Sequence, residues 1–234
     1  MKNVLTNNIP VAVLQGFSFK SDRFCWLVDD CTIAAGQWIC FSPDADEIYP
    51  DASSALARML STLESGFGGF LQLFGHSAAE LDYDKRLQIR QQIGYIQNSG
   101  ALLANRSLLE NIRYPLDFRS NHQQTDLDVL NLMIIMGISP YRDYKIHDID
   151  EIIRWRACVC RALITSPDWL LFEGIGDWSY SHGSGLVWHY LKDQVRKQGR
   201  AITFCLPKKN PYFEKWLVEA GGQVINYRLQ EENK

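Results

Sequence analysis

The sequence contains no CxxC pair and no marked excess of either charge. It has no apolar run near the ~20 residues that a membrane-spanning helix requires. Its longest apolar stretch, Leu132 to Ile138, is interrupted by Gly137. The six cysteines (Cys25, Cys31, Cys40, Cys158, Cys160 and Cys205) are scattered through apolar contexts, a pattern of free buried thiols rather than of a disulfide framework or a zinc site. The five histidines (His76, His122, His147, His182 and His189) have no metal-ligand spacing, so no metal is expected. A net charge of −3 and a pI near 6.0 give no overall attraction for nucleic acid. The opening residues MKNVLTNNIP lack the apolar core of a signal peptide. Together these absences point to a globular protein of a reducing, cytoplasmic compartment.

What is present is average in bulk. The 234 residues are 46% hydrophobic and 22% charged, enough to bury a sizeable core. The opening reads as short strands at Val11–Leu14, Trp26–Ile33 and Trp38–Ser42, with Gly36 as a turn before the third. Ser53 or Ser54 is then placed to cap a helix on which Ala55, Leu56, Met59, Leu60 and Leu63 recur at helical spacing, ended by Gly66, Gly68 and Gly69. Strands follow at Phe70–Phe74 and Ile93–Gln97, with a short helix over Leu87–Gln92 between them. From Asn98 to Pro167 the pattern is helical. Leu127, Leu130, Met133, Ile134 and Ile138 mark one face, and Ala157, Cys160, Arg161 and Ile164 belong to a second helix. Continuous apolar runs at Trp169–Phe172 and Ala201–Leu206 flank a helix over about Ser184–Lys197, the pattern of parallel strands buried on both faces. A helix at Tyr212–Ala220 and a strand at Gln223–Leu229 close the chain. The pattern predicts an α/β fold with an antiparallel start and a helical insert.

Specific stretches carry more. Gly94–Gln97 (GYIQ) followed by Ala101–Phe118 (ALLANRSLLENIRYPLDF) resembles the Q-loop and early helical subdomain of ATP-binding cassette (ABC) transporter ATPases. Arg154–Gly174 (RWRACVCRALITSPDWLLFEG) resembles that family's signature helix running into Walker B, and Gly69–Leu81 matches the strand and hairpin before the Q-loop. The likeness runs in register from about Val11 to Leu229. It implies a P-loop NTPase-like ABC ATPase fold: a mixed-sheet core with an N-terminal antiparallel β part (about 1–97 and 166–234) and a helical subdomain (about 98–165), all in one domain spanning 1–234. The LLENIRYPL stretch looks most like ATPases of MCE-type lipid-transport systems.

The family's active-site residues are absent. Where GxxxxGK[ST] would cradle phosphates, this chain reads FSPDADEIYPDASSALARML (Phe41–Leu60), with Ala52 in the lysine's place and Ser53 and Ser54 matching the hydroxyls. Asp44, Asp46, Glu47 and Asp51 put four carboxylates between Pro43 and Ala52 with no basic residue. Each such carboxylate about 6 Å from a phosphate charge costs roughly 3 kcal/mol at an effective dielectric near 20. The acidic spacing also lacks the glycine of a calcium loop. The signature aligns with Ile149–Ile153, bringing Asp150 and Glu151. Glu173 takes the magnesium-binding position, Gly174 the catalytic glutamate's, Pro207 the switch histidine's, and Asp177–Tyr180 the D-loop's. The positions still matching are Gln97 in the Q-loop and Phe19 where the family stacks an aromatic on adenine.

The resemblance therefore implies a catalytically inactive nucleotide-binding-domain homologue, without a catalytic residue and with no cofactor. It would serve as a structural or regulatory subunit, peripheral on the cytoplasmic face of the inner membrane. The implied partners are an integral membrane permease and a second ATPase-like subunit, either a copy of this chain or an intact ABC ATPase. The family's docking groove for the permease falls here on Gln97, Leu102, Leu103, Leu108, Tyr114 and Leu116. One alternative is an unorthodox ATP and magnesium site built from Phe19, Ser53, Ser54, Gln97 and Glu173. Another is a soluble regulator that kept the fold and lost the transporter.

Overall fold

The computed structural model describes residues 9–21, 24–44, 48–97, 101–118, 124–174 and 185–230. One mixed sheet organises them. Its strands are β1 (Ala12–Ser21), β2 (Phe24–Val28), β3 (Cys31–Ile33), β4 (Trp38–Pro43), β5 (Phe67–Leu73), β6 (His76–Ser77), β7 (Ile93–Gln97), β8 (Trp169–Glu173), β9 (Ala201–Cys205) and β10 (Gln223–Leu229). Their order is β6-β5-β1-β2-β10-β4-β9-β8-β7, with β3 also paired to β1. β1, β2, β3, β5 and β6 pair antiparallel, whereas β4, β7, β8 and β9 form a parallel half. β10 joins the halves, parallel to β4 and antiparallel to β2.

Strands β4, β8 and β9 are buried along their whole length, because helices cover both faces of the parallel half. The helices are α1 (Pro50–Leu60), α2 (Tyr83–Gln91), α3 (Leu108–Arg113), α4 (Asp126–Ile135), α5 (Glu151–Leu163), α6 (Gly185–Gln198) and α7 (Pro211–Glu219). On one face Leu56, Ala57 and Leu60 of α1 share a core cluster with Ile39, Phe41 and Leu171. On the other face α3, α4 and α5 join α6 and α7 over Trp38, Phe172 and Phe204. The mixed α/β architecture is the one expected. Strands Ile93–Gln97 and Gln223–Leu229 fall at the expected residues.

Four local expectations are corrected. Trp26–Ile33 is two strands, β2 and β3, divided at Asp29 and Asp30. Helix α1 begins at Pro50, whose ring presets a helical φ, so Ser53 and Ser54 lie within the helix instead of capping it. It also ends at Leu60, ahead of the glycines, and Gly68 and Gly69 sit inside β5. On α4 Met133 is buried as expected, but its buried companions are Val129 and Leu132, while Leu127 and Ile134 of the expected face are exposed, because α3 and α5 pack on a face turned away from theirs. Ile138 is fully buried but lies beyond the helix.

Gly69 shows why glycine is required in β5. Its φ is +75°, and a Cβ there would lie 2.1 Å from the Gly16 carbonyl oxygen, where the β1–β5 register shifts. Gly69→Ala is therefore expected to cost more than about 1 kcal/mol. Urea unfolding checks this, and an unchanged midpoint would refute the steric account.

Candidate functional site

The centre of interest is where the C-terminal ends of β7 and β8 meet the first turn of α1. Parallel pairing puts Gln97 opposite Glu173 and Glu173 opposite Cys205. Glu173 is 8% exposed, and both its oxygens are engaged. Ser54 Oγ donates to Oε1 at 2.5 Å, and the Tyr95 hydroxyl donates to Oε2. One carboxylate thus ties α1 to β7 and β8. Burial raises the Tyr95 hydroxyl's pKa above its ordinary value, and the hydrogen bond to Glu173 adds to the rise. The neighbouring Cys205 thiol is also pushed well up, first by burial and then by the Glu173 charge.

The approach to α1 is acidic and sterically occupied. Pro50 at its start removes one free N–H, and Asp51 places a carboxylate at the positive end of the helix. Ser53 is 2% exposed and its hydroxyl turns back to the Pro50 carbonyl at 2.9 Å. The Tyr49 N–H donates to the Pro207 carbonyl at 2.6 Å, pinning the entry to α1 against the chain after β9. At the start of α5, the Asp150 side chain accepts from the Ile153 N–H at 2.8 Å, so this helix N-terminus is filled by its own carboxylate. Gly174 follows Glu173 with φ +74°, a conformation that L side chains rarely adopt.

A groove of about 640 Å³ opens on the far side of Tyr95, between α2, β7, the turn Tyr114–Phe118 and α5. Its walls include Leu87, Ile93, Tyr95, Tyr114 and Phe118, and Arg90 and Arg161 line it as well.

No protein-family model matches the chain. Transport ATP-binding proteins do, and two of them serve as examples. Methionine import ATP-binding protein MetN 1 of Pseudomonas syringae pv. syringae (strain B728a) is 30% identical over 122 residues, 51% of this chain and 36% of that protein. The trimethylamine N-oxide transport system ATP-binding protein TmoW of Ruegeria pomeroyi is 27% identical over 123 residues, with the same coverage. The match thus spans about a third of these relatives' length. Among solved structures, the ATP-binding cassette MJ0796 bound to ADP and Pi superposes with a TM-score of 0.71 at 16% identity, covering 95% of this chain and 98% of that one. The cbiO1 component of the cbiONQ ABC transporter from Clostridium perfringens superposes at 0.69 and 11% identity, covering 95% and 87%. The fold is that of an ATP-binding cassette, and ABC transporter ATP-binding proteins are the chain's relatives.

Set on this cassette fold, the expected site residues divide into two groups. Ser54, Gln97 and Glu173 converge at one locus. Ser53 adjoins it, but the hydroxyl that faces Glu173 is that of Ser54. The residue preceding that hydroxyl, where the family carries its lysine, is therefore Ser53, and Ala52 is packed in the core at 2% exposure. Phe19 is corrected: it is 1% exposed, among Phe17, Trp26 and Tyr227, with no open face for a base. Leu108 and Leu116 are also corrected. Both are buried in the core, so neither can meet a partner, whereas Leu102, Leu103, Tyr114 and Gln97 are half-buried. Asp46, Glu47, Asp177–Tyr180, His122 and His182 lie outside the described residues. Among the described residues no group of three or more His, Cys, Asp or Glu is placed to hold a metal, and no helix is long and apolar enough to cross a membrane.

Tyr95 escaped the sequence reading. The one available signal was its position, two residues before the Q-loop glutamine.

The Tyr95 hydroxyl gives the locus a pH signature. The folded pKa is raised, so the hydroxyl's contribution is complete below about pH 10, the unfolded value, and is lost as pH rises above it. Tyr95→Phe should lower stability by about 1–3 kcal/mol at pH 7 and flatten the alkaline fall in unfolding free energy between about pH 9 and 11. The raised hydroxyl of Tyr227 leaves a residual slope in the variant. Identical slopes in wild type and variant would refute the assignment.

Proposed function

We propose that the chain is a catalytically inactive ABC-type nucleotide-binding-domain homologue, a structural or regulatory subunit of a membrane transport complex. The observation that carries this reading is the closed Ser54–Glu173–Tyr95 cluster. In the family's arrangement a serine hydroxyl and the Walker B carboxylate hold a magnesium ion beside the phosphates. Here they hold each other, and a tyrosine takes the remaining carboxylate oxygen. The residues present do not fit a magnesium-bound triphosphate. No lysine precedes Ser54, Asp51 and Pro50 occupy the head of α1, and Asp150 fills the head of α5. Gly174 has no side chain to act as a general base.

Of the residues expected to dock a permease, Tyr114 is the one that lines the groove beside Tyr95, and this groove with the half-buried Gln97, Leu102 and Leu103 is the proposed docking face. An integral membrane permease is accordingly the proposed partner, alongside a second cassette subunit, and the proposed location is the cytoplasmic face of the membrane. The names of the relatives speak of methionine import and trimethylamine N-oxide transport, which lends the lipid-transport expectation no support.

Calorimetric titration with Mg-ATP, with phosphate release followed in parallel, tests the reading. The expected outcome is no heat and no phosphate up to millimolar nucleotide, and tight binding or turnover overturns it. Restoring the missing lysine should not restore activity. Ser53 is 2% exposed, so Ser53→Lys buries an unpaired ammonium and is expected to cost more than about 2 kcal/mol by urea unfolding without producing phosphate release.

A further inference from the structure

Helix α4 has an apolar face that no described residue covers. Its sequence, DLDVLNLMII, is apolar except at Asp126, Asp128 and Asn131. Both aspartates serve the first turn: Asp126 pairs with Arg113 at 3.0 Å, and Asp128 closes a capping box with Thr125. Val129, Leu132 and Met133 are buried on the side that packs against α3 and α5. On the opposite side Leu127 is 64% exposed and Ile134 62%, flanked by Ile135 at 46% and by the half-buried Leu130. A surface helix turns polar residues to water, and a helix that is apolar all round is normally covered all round. Single exposed apolar residues need no explanation, whereas a run of them along one helix face forms a patch.

The middle of this face is Asn131, which is exposed and whose amide has no hydrogen-bond partner among the described residues. With a rise of 1.5 Å per residue, Leu127 lies about 6 Å to one side of it and Ile134 and Ile135 about 5–6 Å to the other. That pattern is self-complementary. When two such helices cross antiparallel about a two-fold axis at Asn131, each Leu127 meets the Ile134 and Ile135 of the other, and the two amides face one another. A primary amide is both donor and acceptor, so a copy of itself satisfies it. Against lipid chains or a purely apolar partner the same amide is buried without a hydrogen bond, which is unfavourable. The polar residue at the centre of the patch therefore selects a second copy as the occupant.

We propose that the outer face of α4 is a self-association surface that joins two copies of this chain, antiparallel, about a two-fold axis at Asn131. One face of one short helix falls well short of the roughly 20–30 residues a side of a standard interface, so the pair is weak and depends on concentration. The residues involved belong neither to the Ser54–Glu173–Tyr95 cluster nor to the walls of the groove. The inference is thus independent of the inactive-subunit reading, and its test and the nucleotide titration can fail separately.

Sedimentation equilibrium of the full chain tests the proposal, with a monomer–dimer equilibrium expected at a Kd on the order of 100 μM. Ile134→Glu and Leu127→Lys replace exposed side chains, so both variants should fold, and each alone should weaken self-association about tenfold or more. An equimolar mixture of the two should associate again. In the antiparallel pair the introduced carboxylate of one chain meets the introduced ammonium of the other, while the second end keeps its Leu127–Ile134 contact. This rescue also shows that both variants are folded. Asn131→Asp sets two carboxylates face to face and should dissociate the pair at low salt, with partial recovery at high salt. A monomer throughout the accessible range overturns the proposal, and so does a dimer that Ile134→Glu and Leu127→Lys leave intact. A mixture that stays monomeric overturns the antiparallel two-fold. Cosedimentation of the monomer with phosphatidylcholine–phosphatidylglycerol vesicles, lost in Ile134→Glu, assigns the face to lipid and overturns the second copy.

Discussion

A buried carboxylate must be compensated, and the compensation chosen at Glu173 shapes the whole site. Removing an ionised group from water costs several kcal/mol unless donors or a cation replace the lost hydration. An ATP-binding cassette can meet that cost with magnesium, which arrives with the nucleotide. This chain meets it internally, through the hydroxyls of Ser54 and Tyr95. The consequence is mechanical as well as electrostatic. Three elements, α1, β7 and β8, are joined at one side chain, which ties their relative placement together.

The same principle recurs at both helix heads that would face a phosphate in this fold. A helix N-terminus offers unpaired N–H groups and partial positive charge, which is why it binds anions. At α1 Pro50 withdraws one N–H and Asp51 supplies an anion from within, and at α5 Asp150 accepts the Ile153 N–H. At α5 the head is satisfied by its own Asp150 carboxylate, whereas at α1 no side chain caps an N–H and Asp51 contributes only its charge. A free phosphate would have to displace the first and endure the repulsion of both.

The parallel half of the sheet was legible because its strands are buried on both faces, and a continuous run such as Trp169–Phe172 has few other interpretations. The weak places have physical causes. At α1, two adjacent serines looked like caps, but the proline three residues earlier, with its fixed φ, had already started the helix. On α4, Met133 can share a helical stripe with Leu127, Leu130 and Ile134 as well as with Val129 and Leu132. Only packing against α3 and α5 decides between the two faces. For the site, the acidic loop, Asp150 and Gly174 could be read from local sequence. The Tyr95–Glu173 contact could not, since it spans 78 positions and depends on the register of two parallel strands. The buried state of Phe19, Leu108 and Leu116 was equally hidden, because an apolar residue reads alike whether it faces a partner or the core.

The distribution of charge connects the closed site to the open groove. A working phosphate site concentrates positive charge at the head of α1. Here Asp51 stands at that head, and Arg90 and Arg161 line the groove beside Tyr95 with no carboxylate partner among the described residues. Tyr95 stands at the boundary: it borders the groove, and its hydroxyl donates to Glu173. Two hydrogen bonds on one carboxylate thus join α1 to a residue that also borders the groove, so a substitution at Tyr95 acts on both places at once.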